Sequence, residues 1–145
     1  MNPSAVGEFP ASSVALGRVM AFIAETSREL GLDAGTAHAV RLAVEEVFTN
    51  ICAHGHRDTE PGPVEVEVMT SPEGVVVTVS DRAAVFDPST APTPDLDADW
   101  QDRPLGGLGW HLVRQVMDEV EHRARPGGGN VVTLVKRRSA DESEE

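Results

Sequence analysis

The sequence predicts a two-layer α+β sandwich, in which a mixed, mainly antiparallel sheet is covered on one face by helices. Its strand-like segments occur in two hairpins rather than alternating with helices, and two amphipathic helical segments precede them. A chain of 145 residues with 40% hydrophobic content is of the size that closes one core. We therefore expect one domain over residues 11–138, between an N-terminal segment (1–10, an edge strand or a loose start) and an acidic disordered tail (139–145).

Two helices are predicted between Ser12 and Gly55. The first is capped by Ser12 or Ser13 and ends at Gly31, and Asp33 caps the second. Six apolar residues of the second helix share one stripe, which indicates a core-facing side. These residues are Val40, Ala43, Val44, Val47, Phe48 and Ile51.

The two predicted hairpins lie on either side of a third helix. In the first, 64–70 alternates Val with Glu, while 75–80 is almost wholly apolar and should lie deeper in the sheet. The third helix is predicted from Trp110 to about Glu119. Segments 121–125 and 131–136, joined by a glycine-rich turn, form the second hairpin.

A polar row follows one margin of the apolar stripe in the second helix. Glu46, Asn50 and His54 are four residues apart and therefore stack along the helix. Asn50 suits Mg²⁺, which prefers oxygen ligands, and Glu46 suits a proton acceptor, although a solvated helix edge has the same spacing. A zinc site of Cys52, His54 and His56 is disfavoured, because these side chains diverge while the segment stays helical.

Two further features suit a nucleotide. Gly106–Gly109 opens a helix, where unpaired N–H groups and glycine backbone favour phosphate, although such runs also serve as hinges or plain helix starts. Asp81 ends a buried strand, where its carboxylate can accept a hydrogen bond from a base's exocyclic amine. A turn aspartate is the other interpretation of Asp81.

Composition limits the classes of partner and compartment. With 24 acidic against 12 basic residues, the net charge of -12 argues against nucleic acid or an anionic membrane as the main partner. The one cysteine, Cys52, excludes an internal disulfide and fits a reducing compartment. No apolar run approaches the roughly 20 residues of a membrane span, and 1–10 lacks signal-peptide features, so we expect a cytoplasmic protein.

Four motifs in a fixed order carry a resemblance to a known family. They are Glu46-x-x-x-Asn50, Asp81-x-x-x-x-Phe86-Asp87-Pro88, Gly106-Gly107-Leu108-Gly109-x-His111-Leu112 and Val132-Thr133-Leu134-Val135-Lys136. In these motifs, residues 11–138 resemble the gyrase, histidine-kinase and mismatch-repair type of ATPase domain (Bergerat ATP-binding fold). Within it, the chain is similar to the bacterial anti-sigma-factor serine/threonine kinases of partner-switching systems. It departs from their pattern at Ala83, where glycine is usual, and at Trp110, where an aliphatic residue is usual.

The resemblance implies roles for the matching residues. Glu46 would be the general base, Asn50 would be the Mg²⁺ ligand, and Asp81 would bind the adenine amine with help from Thr133. Residues 89–105 would form a lid over ATP. The other positions that the resemblance assigns to ATP binding are His54, Phe86, Gly106, Gly107, Leu108 and Gly109.

The resemblance also implies a reaction and partners. The protein would use ATP and Mg²⁺ to phosphorylate a Ser or Thr of an anti-anti-sigma antagonist, would otherwise bind a sigma factor, and would form a homodimer. One alternative is a nucleotide-binding partner-switch module that only sequesters its partner. Another is the catalytic domain of a histidine kinase, against which the lack of a phosphoacceptor-helix domain in 145 residues counts.

Overall fold

The computed structural model describes residues 3–54, 63–82, 107–125 and 128–137. The predicted lid (89–105), the acidic tail (139–145), Phe86 and Gly106 lie outside these ranges. In chain order the elements are β1 (Ser4–Pro10), a 3-10 turn (Ser13–Ala15), α1 (Leu16–Glu29), α2 (Ala34–His54), β2 (Pro63–Ser71), β3 (Gly74–Asp81), α3 (Gly107–Val116), β4 (Glu119–Ala124) and β5 (Asn130–Arg137).

The five strands form one sheet in the order β1-β2-β3-β5-β4. Each neighbouring pair is antiparallel, so the described sheet is antiparallel rather than mixed. β1 pairs along its whole length with β2, from Ser4 opposite Met69 to Pro10 opposite Pro63. The predicted α+β class is confirmed, and the first residues form an edge strand.

α2 occupies the centre of the helical layer. It packs against α1 and α3 and also contacts β3 and β5 in the middle of the sheet. The six residues of its predicted apolar stripe are all buried, which confirms that this stripe is the core face. Among helices in the described part of the chain, none has the length and apolar character needed to span a membrane.

Local capping sets the limits of the first two helices. The Ser12 hydroxyl accepts from the Val14 N–H (3.3 Å), and Gly31 ends the first helical segment with φ of 72°. The Asp33 carboxylate accepts from the Thr36 N–H (3.1 Å) and from the Thr36 hydroxyl (2.6 Å). Because each cap lies within a few residues of its partner, these boundaries agree with the sequence prediction.

The prediction for α3 was wrong at both ends. The helix begins at Gly107, before Trp110, and ends at Val116 rather than near residue 119. Glycine is a poor helix former, so helix propensity alone favours a start after the last glycine. Trp110, Val113 and Met117 are buried in the core. This packing stabilises the helix, including its first turn, which contains Gly107 and Gly109.

Candidate functional site

Glu46 and Asn50 lie one helical turn apart on α2, at the margin of the core. Asn50 is only 6% exposed, so it does not lie on a solvated helix edge. Its Oδ1 atom is buried and has no hydrogen-bond partner among residues 3–54, 63–82, 107–125 and 128–137. A buried unpaired oxygen costs about 1–3 kcal/mol. An oxygen ligand of this kind fits Mg²⁺, which takes few protein ligands.

The environment of Glu46 favours its protonated form. Partial burial raises the pKa of the Glu46 carboxyl above its ordinary value, and the negative charge of Glu45 raises it further. A carboxylate with a raised pKa is a better proton acceptor near neutral pH. The structure therefore places a candidate base one turn from a candidate metal ligand.

The raised pKa predicts a pH-dependent effect of Glu46→Gln on stability. The folded chain holds the Glu46 proton more tightly than the unfolded chain, so stability is lost as pH rises from the ordinary value of 4.5 through the raised pKa. Glu46→Gln should raise the free energy of unfolding at pH 7, by less than about 1 kcal/mol because water screens a partly exposed carboxylate. The gain should vanish in acid, below both pKa values.

Denaturant unfolding of both proteins at several pH values measures this difference. Glu73→Gln is the control, because Glu73 is exposed in the β2–β3 turn. A gain for Glu46→Gln that stayed constant from acid to neutral pH would contradict the assigned cause.

Asp81 forms the second part of the candidate site. It is the last residue of β3 and is 2% exposed, so it is a buried strand residue and not a turn aspartate. Asn130 Nδ2 donates to Asp81 Oδ1 (3.2 Å), and Asn130 Oδ1 lies 2.7 Å from His122 Nε2. The sequence prediction did not include Asn130 or His122. Only the strand register could have revealed them, since it pairs Asp81 with Asn130 and places His122 of β4 opposite Val132 of β5.

Thr133 is not the β5 residue that pairs with Asp81, and its expected help at the adenine stays a prediction. Thr133 is paired with Thr78 of β3, and it is three positions from Asn130 along β5. Side chains alternate between the two faces of a strand, so Thr133 points to the opposite face from Asn130. The burial pattern of β5 agrees, because Asn130 is buried and Thr133 is not fully buried. Asn130 is the β5 residue that contacts Asp81.

Gly129 lets the backbone of β5 approach the end of β3. A Cβ atom on Gly129 would lie 2.1 Å from the Asp81 carbonyl oxygen and 2.8 Å from Arg82 Cα. Its neighbour Gly128 has nearly the same φ, +112° against +113°, but a Cβ there would meet no atom within 4 Å. A side chain at either glycine would therefore strain the backbone, but only a side chain at Gly129 would also collide with β3.

We expect Gly129→Ala to be clearly more destabilising than Gly128→Ala. The positive φ should cost each variant about 1–3 kcal/mol. Overpacking against β3 should add about 1–3 kcal/mol for Gly129→Ala alone. Chemical denaturation of the two variants tests this, and equal losses of stability would show that the contact between Gly129 and Asp81 is not tight.

The predicted phosphate-binding segment forms the first turn of α3. Gly107, Leu108 and Gly109 are the first three residues of this helix, so their N–H groups have no intrahelical acceptors. The buried Trp110 fixes this turn to the core. His54 is the last residue of α2, and its side chain lies outside the described part of the structure, as does Gly106.

These residues can be compared with those of known proteins. Residues 9–136 match the Histidine kinase-like ATPase domain family. The chain belongs to this family. The match covers almost all of the chain and confirms the resemblance drawn from the four motifs.

Curated relatives of this ATPase-domain chain are named as protein kinases and as anti-sigma factors. It is 29% identical over 112 residues to the serine-protein kinase RsbW of Listeria monocytogenes, covering 74% of this chain and 70% of that protein. It is 30% identical over 105 residues to an anti-sigma F factor of Pasteuria penetrans, covering 70% of this chain and 68% of that protein. These names support an ATP-binding regulator of the partner-switching type.

Solved structures show the same fold. The structure of the RsbU and RsbW domains of a Mycobacterium tuberculosis protein matches 95% of this chain with a TM-score of 0.65 at 22% identity. This chain spans about a third of that protein, since the match covers 34% of it. A histidine kinase domain from Erythrobacter litoralis matches 87% of this chain with a TM-score of 0.52.

The side chains available as ligands decide which metal ion this ATPase domain can bind. Within the four described ranges, no group of three or more His, Cys, Asp or Glu side chains is placed to hold a metal ion. Burial raises the pKa of the Cys52 thiol, which makes it a poor zinc ligand, and His56 lies outside those ranges. An ion bound mainly by phosphates and by one protein oxygen, as Mg²⁺ is, fits these residues better.

Proposed function

We propose that this histidine kinase-like ATPase domain is an ATP- and Mg²⁺-dependent kinase that phosphorylates a Ser or Thr of an anti-anti-sigma antagonist, and that it otherwise binds a sigma factor. The observation that carries the proposal is the pairing on α2 of a carboxyl with raised pKa, Glu46, and a buried amide oxygen without a partner in the described structure, Asn50. A relative named serine-protein kinase supports the reaction, and relatives named anti-sigma F factor support the partner class.

In this proposal each residue does one thing. Glu46 accepts the proton of the substrate hydroxyl, and burial and Glu45 raise its pKa toward the working range. Asn50 offers Oδ1 as the protein ligand of Mg²⁺, which when bound would neutralise charge on the transferred phosphoryl group. Asp81 accepts from the exocyclic amine of adenine. The first turn of α3, together with Gly106, donates N–H groups to the phosphates.

The partners follow from the same reasoning. We propose a protein antagonist and a sigma factor as binding partners, and a homodimer in the cytoplasm. The net charge of -12 and the one cysteine are consistent with partners other than nucleic acid and with a reducing compartment. His54, Phe86 and residues 89–105 keep their proposed roles at the nucleotide.

The test is phosphoryl transfer from γ-labelled ATP, with Mg²⁺, to a candidate anti-anti-sigma protein. We expect label on the antagonist and none when its acceptor Ser or Thr is replaced by Ala. Calorimetry with Mg·ATP on the same preparation reports binding independently of transfer.

The second candidate function is a nucleotide-binding module that only sequesters its partner. The name anti-sigma F factor, carried by relatives at 26–30% identity, favours it. Tight binding of Mg·ATP and of a sigma factor without labelling of any antagonist would support this module and overturn the kinase. Failure to bind Mg·ATP at millimolar concentration would overturn the nucleotide site itself.

A further inference from the structure

Three polar residues lie side by side at one end of the sheet, on three neighbouring strands. Asp81 ends β3, Asn130 begins β5 directly opposite it, and His122 of β4 pairs with Val132, two residues along β5. All three belong to the alternating set that faces the helical layer. Asp81 and Asn130 are buried, and His122 is half-buried. Water therefore competes weakly for their hydrogen bonds.

The hydrogen bonds among these residues run in one direction. An asparagine amide has a donating end and an accepting end, and a carboxylate only accepts. The Asn130 amide therefore turns its Nδ2 to Asp81 Oδ1 (3.2 Å), which leaves its Oδ1 facing His122 Nε2 (2.7 Å). His122 must then carry a proton on Nε2 and donate it. Reversing the Asn130 amide would set two acceptors against each other at Asp81.

We propose that His122 and Asn130 are a positioning pair that fixes the Asp81 carboxylate for adenine and against guanine. This inference rests on the proposed function, in which Asp81 accepts from the base. A carboxylate offers about four acceptor positions, and the bond from Asn130 occupies one of them and sets the plane of the group. The bond from His122 prevents the Asn130 amide from reversing.

The pair selects between adenine and guanine because the Asn130 amide N–H is already used in its bond to Asp81. Adenine presents an amine where guanine presents a carbonyl, so guanine needs a protein donor at this point. Asn130 is the neighbouring amide that could supply one by rotating. While His122 donates to its Oδ1, the amide is held on Asp81, and guanine meets a carboxylate acceptor.

The variant that tests the pair is His122→Leu, which removes the donor to Asn130. We expect ATP affinity to fall roughly three- to tenfold, the usual worth of one hydrogen bond. GTP affinity should hold or rise, because the Asn130 amide, without the bond from His122, can turn its Nδ2 toward the guanine carbonyl. The ratio of ATP to GTP affinity should therefore fall by roughly threefold or more.

Matched variants separate positioning from a structural role. His122→Gln places an amide N–H near the position of Nε2 and should restore the ATP to GTP ratio. His122→Asn is polar but too short, and it should behave like His122→Leu, so it serves if the leucine variant does not fold. His38→Leu is the control for loss of an imidazole, because His38 is exposed on α2. General loss of stability would lower both affinities together and leave their ratio unchanged.

Calorimetry with Mg·ATP and Mg·GTP is run on the wild type, on these variants and on Asp81→Asn. A ratio that falls in Asp81→Asn but stays at the wild-type value in both His122→Leu and His122→Asn overturns the positioning pair and leaves the proposed function standing. A ratio that falls in His122→Gln as far as in His122→Leu also overturns it. A wild type that binds neither nucleotide overturns the proposed function, and the positioning pair with it.

Discussion

Glu46→Gln is expected to slow phosphoryl transfer to the antagonist by roughly 100- to 10,000-fold, the usual contribution of a positioned base. Glutamine keeps the shape and the hydrogen-bonding atoms of the side chain but cannot accept the hydroxyl proton. The affinity for Mg·ATP should stay nearly unchanged, because the proposed metal ligand is Asn50 and not Glu46. Single-turnover transfer measured beside calorimetry reports both quantities.

Glu45→Gln is the matched control for this substitution. Glu45 is adjacent on α2, and its charge is one of the two causes of the raised pKa of Glu46. Its removal should shift the pH–rate profile to lower pH while the maximal rate changes little. If Glu46→Gln transfers phosphate as fast as the wild type, Glu46 is only a helix-edge carboxylate.

Asn50→Leu is expected to move stability and binding in opposite directions. Leucine is close to asparagine in shape, and it removes a buried oxygen that has no partner within the described ranges. The free energy of unfolding of the nucleotide-free chain should rise by about 1 kcal/mol. The affinity for Mg·ATP should fall by roughly tenfold or more, because the proposed metal ligand is lost. Residues retained for binding or catalysis commonly lower the stability of the folded chain in this way.

Asn130→Leu is the control for Asn50→Leu, because it replaces a buried asparagine whose amide is hydrogen-bonded. Asn130 and Asn50 have the same exposed fraction, 6%, but the amide of Asn130 forms hydrogen bonds with both Asp81 and His122. Its replacement should lower the free energy of unfolding by about 1–3 kcal/mol, since the buried Asp81 loses a donor. A loss of stability in Asn50→Leu comparable to that in Asn130→Leu would mean that Asn50 Oδ1 is satisfied in the folded chain.

Sequence reasoning predicted most of the helical layer because the signals there are local. The caps at Ser12 and Asp33 bond residues two or three positions away, and the α2 stripe repeats within a few turns. The row of Glu46 and Asn50 follows from the same helical repeat. Motif order was enough to identify the family, and residues 9–136 match it.

Sequence reasoning failed where distant segments meet. The motif places Thr133 on the strand that faces Asp81, but only the register of that strand decides that Asn130 is the residue paired with Asp81. The bond between Asn130 and Asp81 joins residues 49 positions apart, so nothing in either local segment signals it. The start of α3 at Gly107 likewise follows from burial of Trp110, which helix propensity does not include.

The sequence alone determined the family, the antiparallel hairpins and the margin of α2 that carries Glu46 and Asn50, because these depend on motif order and on short-range periodicity. Only the tertiary structure decided that Asn50 Oδ1 is buried without a partner in the described residues, and that Asn130 lies between His122 of β4 and Asp81 of β3. Burial and cross-strand register arise when the helical layer closes on the sheet. The electrostatics of the site therefore depend on contacts between segments distant in the chain.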